Sequence, residues 1–129
     1  MLSKKYSELI EYAKSLVKRK KVRGGTVNSV ACVLISEKEN IYKGSSLNLC
    51  CGIGFCAEHA AIASMITETN ETYIKAIVAA NKKVILPPCG RCRELMSLID
   101  IRNLETDIII SENKKTKLKK LLPIIRKSL

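Results

Sequence analysis

The chain has 129 residues, 47% of them apolar but with one Phe and no Trp, so its core must be built from Ile, Leu, Val and Ala; that length suits one domain over residues 1–129. Lys and Arg number 23 against 12 Asp and Glu, a formal net charge of +11, and no stretch approaches the roughly 20 apolar residues of a membrane span. The start, Met1-Leu2-Ser3-Lys4-Lys5, lacks a continuous apolar leader, and six Cys in so lysine-rich a chain favour metal thiolates in a reducing cytoplasm over disulfides.

In chain order, Tyr6, Leu9, Ile10, Ala13, Leu16 and Val17 recur at helical spacing, with Ser3 as N-cap and Arg23-Gly24-Gly25 as the break. Two strands follow near 29–36 and 40–45, joined by Glu37-Lys38-Glu39 as a hairpin, and a loop spans 45–55 with Gly52 and Gly54. Ala60, Ala61, Ile62, Met65 and Ile66 predict a helix with a buried face, and a strand lies near 73–80. Val84-Ile85-Leu86 leads into Pro87-Pro88 and a second helix carrying Leu95, Met96, Leu98 and Ile99. Asp107-Ile108-Ile109-Ile110 predicts a fourth long strand. Only about ten residues then separate Ile110 from a final helix at Leu121. A parallel neighbour needs a crossover of a dozen or more residues, so a fifth strand near 115–118 must return as an antiparallel hairpin.

Cys56-Ala57-Glu58 and Pro88-Cys89-Gly90-Arg91-Cys92 carry the chemistry. Each cysteine group falls at the start of a predicted helix, where the dipole favours the thiolate. Three thiolates leave the fourth tetrahedral position of a zinc ion open, the catalytic arrangement, and Glu58 is then free to move protons. The pattern matches the Cys₃ variant of the zinc deaminase signature, in which the Glu is general acid and base. The alternative is a closed structural zinc knot, with Cys50, Cys51 or His59 as fourth ligand. Cys32 reads as a small core residue; for Cys50 and Cys51, substrate-loop lining and plain packing both stand.

The charge is uneven. Residues 1–23 carry eight basic and two acidic side chains, residues 114–129 seven basic and none acidic, and the middle eight against ten. Basic ends suit nucleic acid, but Tyr6 and Tyr12 are the only stacking aromatics near them, so solvated helix faces without a nucleic-acid partner are the expectation.

These motifs resemble the cytidine deaminase superfamily over nearly the whole chain. Val30-Ala31-Cys32-Val33-Leu34 resembles its first strand, Ile41-Tyr42-Lys43-Gly44 its second, Cys56-Ala57-Glu58 and Pro88-Cys89-Gly90-Arg91-Cys92-Arg93 its zinc motifs, and Leu121-Leu122-Pro123 a motif near its C-terminus. The Pro-Cys-Gly-Arg-Cys-Arg run is similar to blasticidin S deaminases in particular. The resemblance implies a three-layer α/β/α fold, with a mixed sheet of about five strands and an antiparallel last strand, as in the free-nucleoside branch. It implies zinc on Cys56, Cys89 and Cys92, Glu58 as catalytic residue, and hydrolytic deamination of a free cytosine nucleoside or analogue. The alternatives are a deaminase of a blasticidin-type antibiotic and a non-catalytic zinc protein. It further implies that the Ala57 backbone meets the pyrimidine O2, that the Pro87 carbonyl meets the leaving amine, and that the chain forms a homotetramer, with a dimer second. Departures fall on the sugar side. Ser45-Ser46-Leu47-Asn48-Leu49 stands where the family carries Asn-x-Glu-Asn, leaving Ser46 and Asn48 as substrate residues and no carboxylate to grip a ribose hydroxyl. His59 replaces the family's Arg, which tempers the thiolate charge; Arg91, Arg93 or His59 is expected to do so here.

Overall fold

The computed structural model describes residues 2–127. Ser3 caps the first helix, α1 (Lys4–Leu16), its hydroxyl accepting from the Tyr6 amide at 3.3 Å. Leu9, Ile10 and Ala13 form the buried face. The helix stops at Leu16 rather than running on to Arg23. Asn28 donates from Nδ2 to the Leu16 carbonyl at 3.1 Å, so a side chain twelve residues on satisfies a helix-end acceptor. The freed segment forms β1 (Lys20–Val22), and Arg23-Gly24 turn it back onto β2 (Gly25–Ser36).

Both following strands are longer than their apolar pattern indicates. β2 begins at Gly25, and β3 (Ile41–Leu49) runs on to Leu49, into the segment expected to be loop. The rest of that segment is a 3₁₀ turn at Cys50–Gly52 and the two-residue β4 (Gly54–Phe55), which pairs back on β3. Then follow α2 (Ala57–Thr69), β5 (Ile74–Ala80), α3 (Gly90–Ile99), β6 (Asp107–Ser111), β7 (Lys114–Lys117) and α4 (Leu118–Leu121). The sheet order is β4-β3-β2-β5-β6-β7, with β1 beside β2. Among the described residues only β5 and β6 are parallel, joined through α3, and β7 returns antiparallel on β6 as the short connection required. The five longer strands are those the sequence predicts; β1 and β4 bring the total among the described residues to seven.

Two-residue alternation sorts the core. Cys32 and Leu34 of β2, with Ile77 and Ala79 of β5, pack on Ala61, Ile62 and Met65 of α2, Met96 of α3 and Leu118 of α4. Val33 and Ile35, with Ala76, Val78 and Ala80, face Leu9, Ile10 and Ala13 of α1. The result is helix, sheet and helix. Gly44 sets how closely β3 approaches α2: a Cβ there would lie 2.3 Å from the Ala61 nitrogen and 2.6 Å from the Ala60 Cβ, distances no side chain tolerates.

Candidate active site

Two helix starts converge on one point. Cys56 is the N-cap of α2 and Cys89 the N-cap of α3, both in extended backbone, and Cys92 lies in the first turn of α3. The three sulfurs lie within 4.8 Å of one another. Cys89 Sγ is 3.5 Å from Cys56 Sγ and 3.4 Å from Cys92 Sγ. A tetrahedral zinc with Zn–S bonds near 2.3 Å needs sulfurs about 3.8 Å apart, a small expansion of this triangle. Cys50 and Cys51 are exposed and His59 is half-buried, and all three lie outside the group, so among the described residues no fourth ligand closes the site. The donor set fits zinc with an open position.

The thiols differ in readiness to ionise. Burial pushes Cys56 and Cys92 up. Burial raises Cys89 as well, but hydrogen bonds from the Cys92 amide, the Cys92 and Cys56 thiols and the Arg91 amide outweigh it and bring this thiol down.

Glu58, in the first turn of α2, is only 5% exposed. Burial raises its carboxyl from the ordinary carboxylate value; its own amide and the Cys92 thiol pull part of that back. A carboxyl raised in this way is a stronger proton acceptor than an exposed one, which suits a group that must both take and return protons. His59 Nδ1 lies 3.6 Å from Cys92 Sγ, and its ring stacks on Phe55 with centroids 6.5 Å apart and planes 12° apart. Burial and the Arg91 charge hold the His59 ring below its usual pKa, favouring its neutral form. Arg93 does not serve the thiolates: its Nε donates to the Pro88 carbonyl at 2.8 Å and its Nη1 to the Leu121 carbonyl at 3.2 Å, tying α3 to α4.

A cavity of about 400 Å³ opens beside the thiols, within the range of small-molecule sites. Every substrate residue proposed from the sequence lines it: Ser46 and Asn48 on β3, Ala57 and Glu58 on α2, and Pro87 before α3. The Ala57 amide belongs to the first helical turn, whose N–H groups lack intrahelical partners. Ser29, Phe55 and Arg91 also line the cavity, and only Arg91 had drawn notice in the sequence, for the thiolates. Phe55, the one Phe of the chain, directly precedes Cys56, a signal that was there to be read. Cys50 and Cys51 do not line it; they form the turn that presents Gly52 and Ile53 at its rim.

The family model for the cytidine and deoxycytidylate deaminase zinc-binding region matches residues 3–106. The chain belongs to that family. It is 29% identical to the cytidine deaminase of Mycoplasma genitalium over 85 residues, 65% of this chain and 64% of that protein. It is also 29% identical to the cytidine deaminase of Halalkalibacterium halodurans over 69 residues, 53% of this chain and 52% of that one. The match thus spans about half to just under two thirds of those relatives. Among solved structures, the cytidine deaminase of Mycobacterium tuberculosis superposes with a TM-score of 0.78 at 20% identity, covering 95% of this chain and 98% of that one. That of Mycobacterium leprae gives 0.79 at 18%, covering 95% and 100%. At such identities these likenesses define the fold.

Proposed function

We propose that the chain is a zinc-dependent hydrolase that deaminates a free cytosine nucleoside or nucleoside analogue. The observation that carries this is one buried carboxylate, Glu58, beside three thiols at two converging helix starts, on the wall of a ligand-sized cavity. Cys56, Cys89 and Cys92 hold the zinc, which when bound supplies Lewis acidity toward water. Glu58 takes a proton from the attacking water and delivers it to the ring nitrogen next to the reacting carbon, then takes the remaining proton of the added hydroxyl and passes it to the departing amine as the carbonyl forms. A carbon–oxygen bond forms, the carbon–nitrogen bond breaks, and ammonia leaves; no other reactant is needed. The Ala57 amide holds the pyrimidine O2, and the Pro87 carbonyl meets the amine.

The sugar side refines this reading. Asn48 offers a neutral acceptor and Leu47 none, and charged acceptors make bonds roughly twice as strong. A cytosine carrying an altered sugar, of the blasticidin type, therefore suits the wall better than plain cytidine. The partner is a small molecule rather than nucleic acid, and the thiol-rich site suits the cytoplasm. Ammonia release by the zinc-loaded protein from cytidine, deoxycytidine and blasticidin S is the test. Release from none of them would leave the non-catalytic zinc protein.

A further inference from the structure

We infer that Ser29 determines specificity, its hydroxyl exchanging a hydrogen bond with a hydroxyl of the sugar carried by the base. The inference rests on the deamination reading above. In a regular strand, consecutive side chains point to opposite faces. β2 breaks this rule: Val27 pairs with Leu47 and Ala31 with Ser45, so residues 28–30 all lie against Ser46 alone. Asn28 makes the bulge, with φ of 58°, a conformation Asn tolerates better than most residues, and its side chain is pinned to the Leu16 carbonyl. The Val30 amide donates to Ser46 Oγ at 3.1 Å. As a result Ser29 and Val30, neighbours in sequence, both line the cavity.

The polar groups of this wall are unequal. Ser46 is 8% exposed and its oxygen already serves Val30. Leu47 has nothing to offer. Ser29 is half-buried, and among the described residues its side chain has no hydrogen-bond partner. A serine hydroxyl can give one hydrogen bond and accept two. Glu58 and the thiols take the reacting end of a cytosine, so on the wall made by β2 and β3 Ser29 and Asn48 are the polar side chains with no hydrogen-bond partner among the described residues, free for what hangs from the ring.

The test compares zinc-loaded wild type, Ser29→Ala and Ser29→Thr on cytidine and on N1-methylcytosine, which keeps the base and lacks the sugar. Calorimetric binding of both ligands to the Glu58→Gln background gives a second readout that needs no turnover. Ser29→Ala should raise KM and Kd for cytidine about five- to tenfold, the worth of one neutral hydrogen bond. It should leave kcat nearly unchanged and barely move N1-methylcytosine, and Ser29→Thr should restore cytidine. No change on cytidine, no cytidine binding at all, or an equal loss on both ligands would overturn the assignment. Ammonia release by the wild type separates that outcome from failure of the deamination reading itself.

Discussion

Glu58 sits where burial and the Cys92 thiol act on one carboxyl, and among the described residues nothing else titratable lines the cavity beside it except the thiols and Arg91. A Glu58→Gln protein keeps the side-chain shape and loses only the proton traffic. It should retain zinc and fold while losing at least about 10²–10⁴ of turnover; a variant with most of its ammonia release intact would remove Glu58 from the mechanism. The cysteines behave differently, because binding energy at a thiolate site is also folding energy. Cys89 has the thiol drawn down by its neighbours, so Cys89→Ser should lose the metal and lower the yield of folded protein. Metal analysis showing full zinc in that variant would contradict the ligand assignment.

At the scale of elements, two contacts hold the site in place. Gly44 brings β3 against α2 at Ala60 and Ala61, just beyond the helix start that carries Cys56 and Glu58. Gly44→Ala must push the helix away, so it should cost about 1–3 kcal/mol from overpacking and weaken zinc binding, read by chelator competition. Full affinity in a well-folded variant would show that α2 moves without disturbing the site. At the far end of α2, Glu71 is 8% exposed and accepts from Ser36 Oγ (2.9 Å), the Lys38 amide (3.0 Å), Asn40 Nδ2 (3.1 Å) and Thr69 Oγ1 (3.1 Å), tying the β2–β3 hairpin to the helix. Burial raises its carboxyl, but these hydrogen bonds win and hold it at about 2. An unfolded Glu titrates near about 4.3. Its stabilising contribution is therefore complete above that pH and fades as pH falls toward about 2. The melting temperature of the wild type should exceed that of Glu71→Gln at neutral pH, and the gap should close on acidification; a pH-independent gap would mean that packing, not charge, is at work. The same two-sidedness decides what was legible in the sequence. The zinc motifs, the core alternation and the antiparallel return of β7 depend on neighbours close in the chain, and residue types alone reveal them. The end of α1 does not: Lys18, Arg19 and Lys20 are good helix formers, yet the helix stops because Asn28 reaches its last carbonyl. The bulge that brings Ser29 into the cavity rests on that same Asn28 and on the hydroxyl of Ser46, so no local pattern announces it.

For the whole molecule, charge and apolar surface pull in opposite directions. Many cations are paired, Lys5 and Lys75 with Glu39, Lys115 and Lys117 with Asp107, Lys119 with Glu105, but these are exposed on at least one side and contribute little to stability. The net charge of +11 remains and repels a second copy. Against it stand exposed apolar side chains. Ile53, 61% exposed, and Phe55 flank the cavity, and Leu98 and Ile101 mark the end of α3. Covering them would add buried surface to a chain of modest core and would close the rim of the cavity. We therefore expect a homotetramer, with a dimer as the smaller alternative, and we expect its assembly to strengthen with ionic strength, because screening removes the repulsion and leaves apolar burial intact. Sedimentation equilibrium across a range of salt and protein concentration checks this. Ile53→Asp places a carboxylate on the proposed contact and should shift the mass toward smaller species at every salt concentration. A wild-type monomer independent of concentration and salt would refute assembly and leave the cavity rim open to solvent, a site suited to a bulkier substrate than a plain nucleoside.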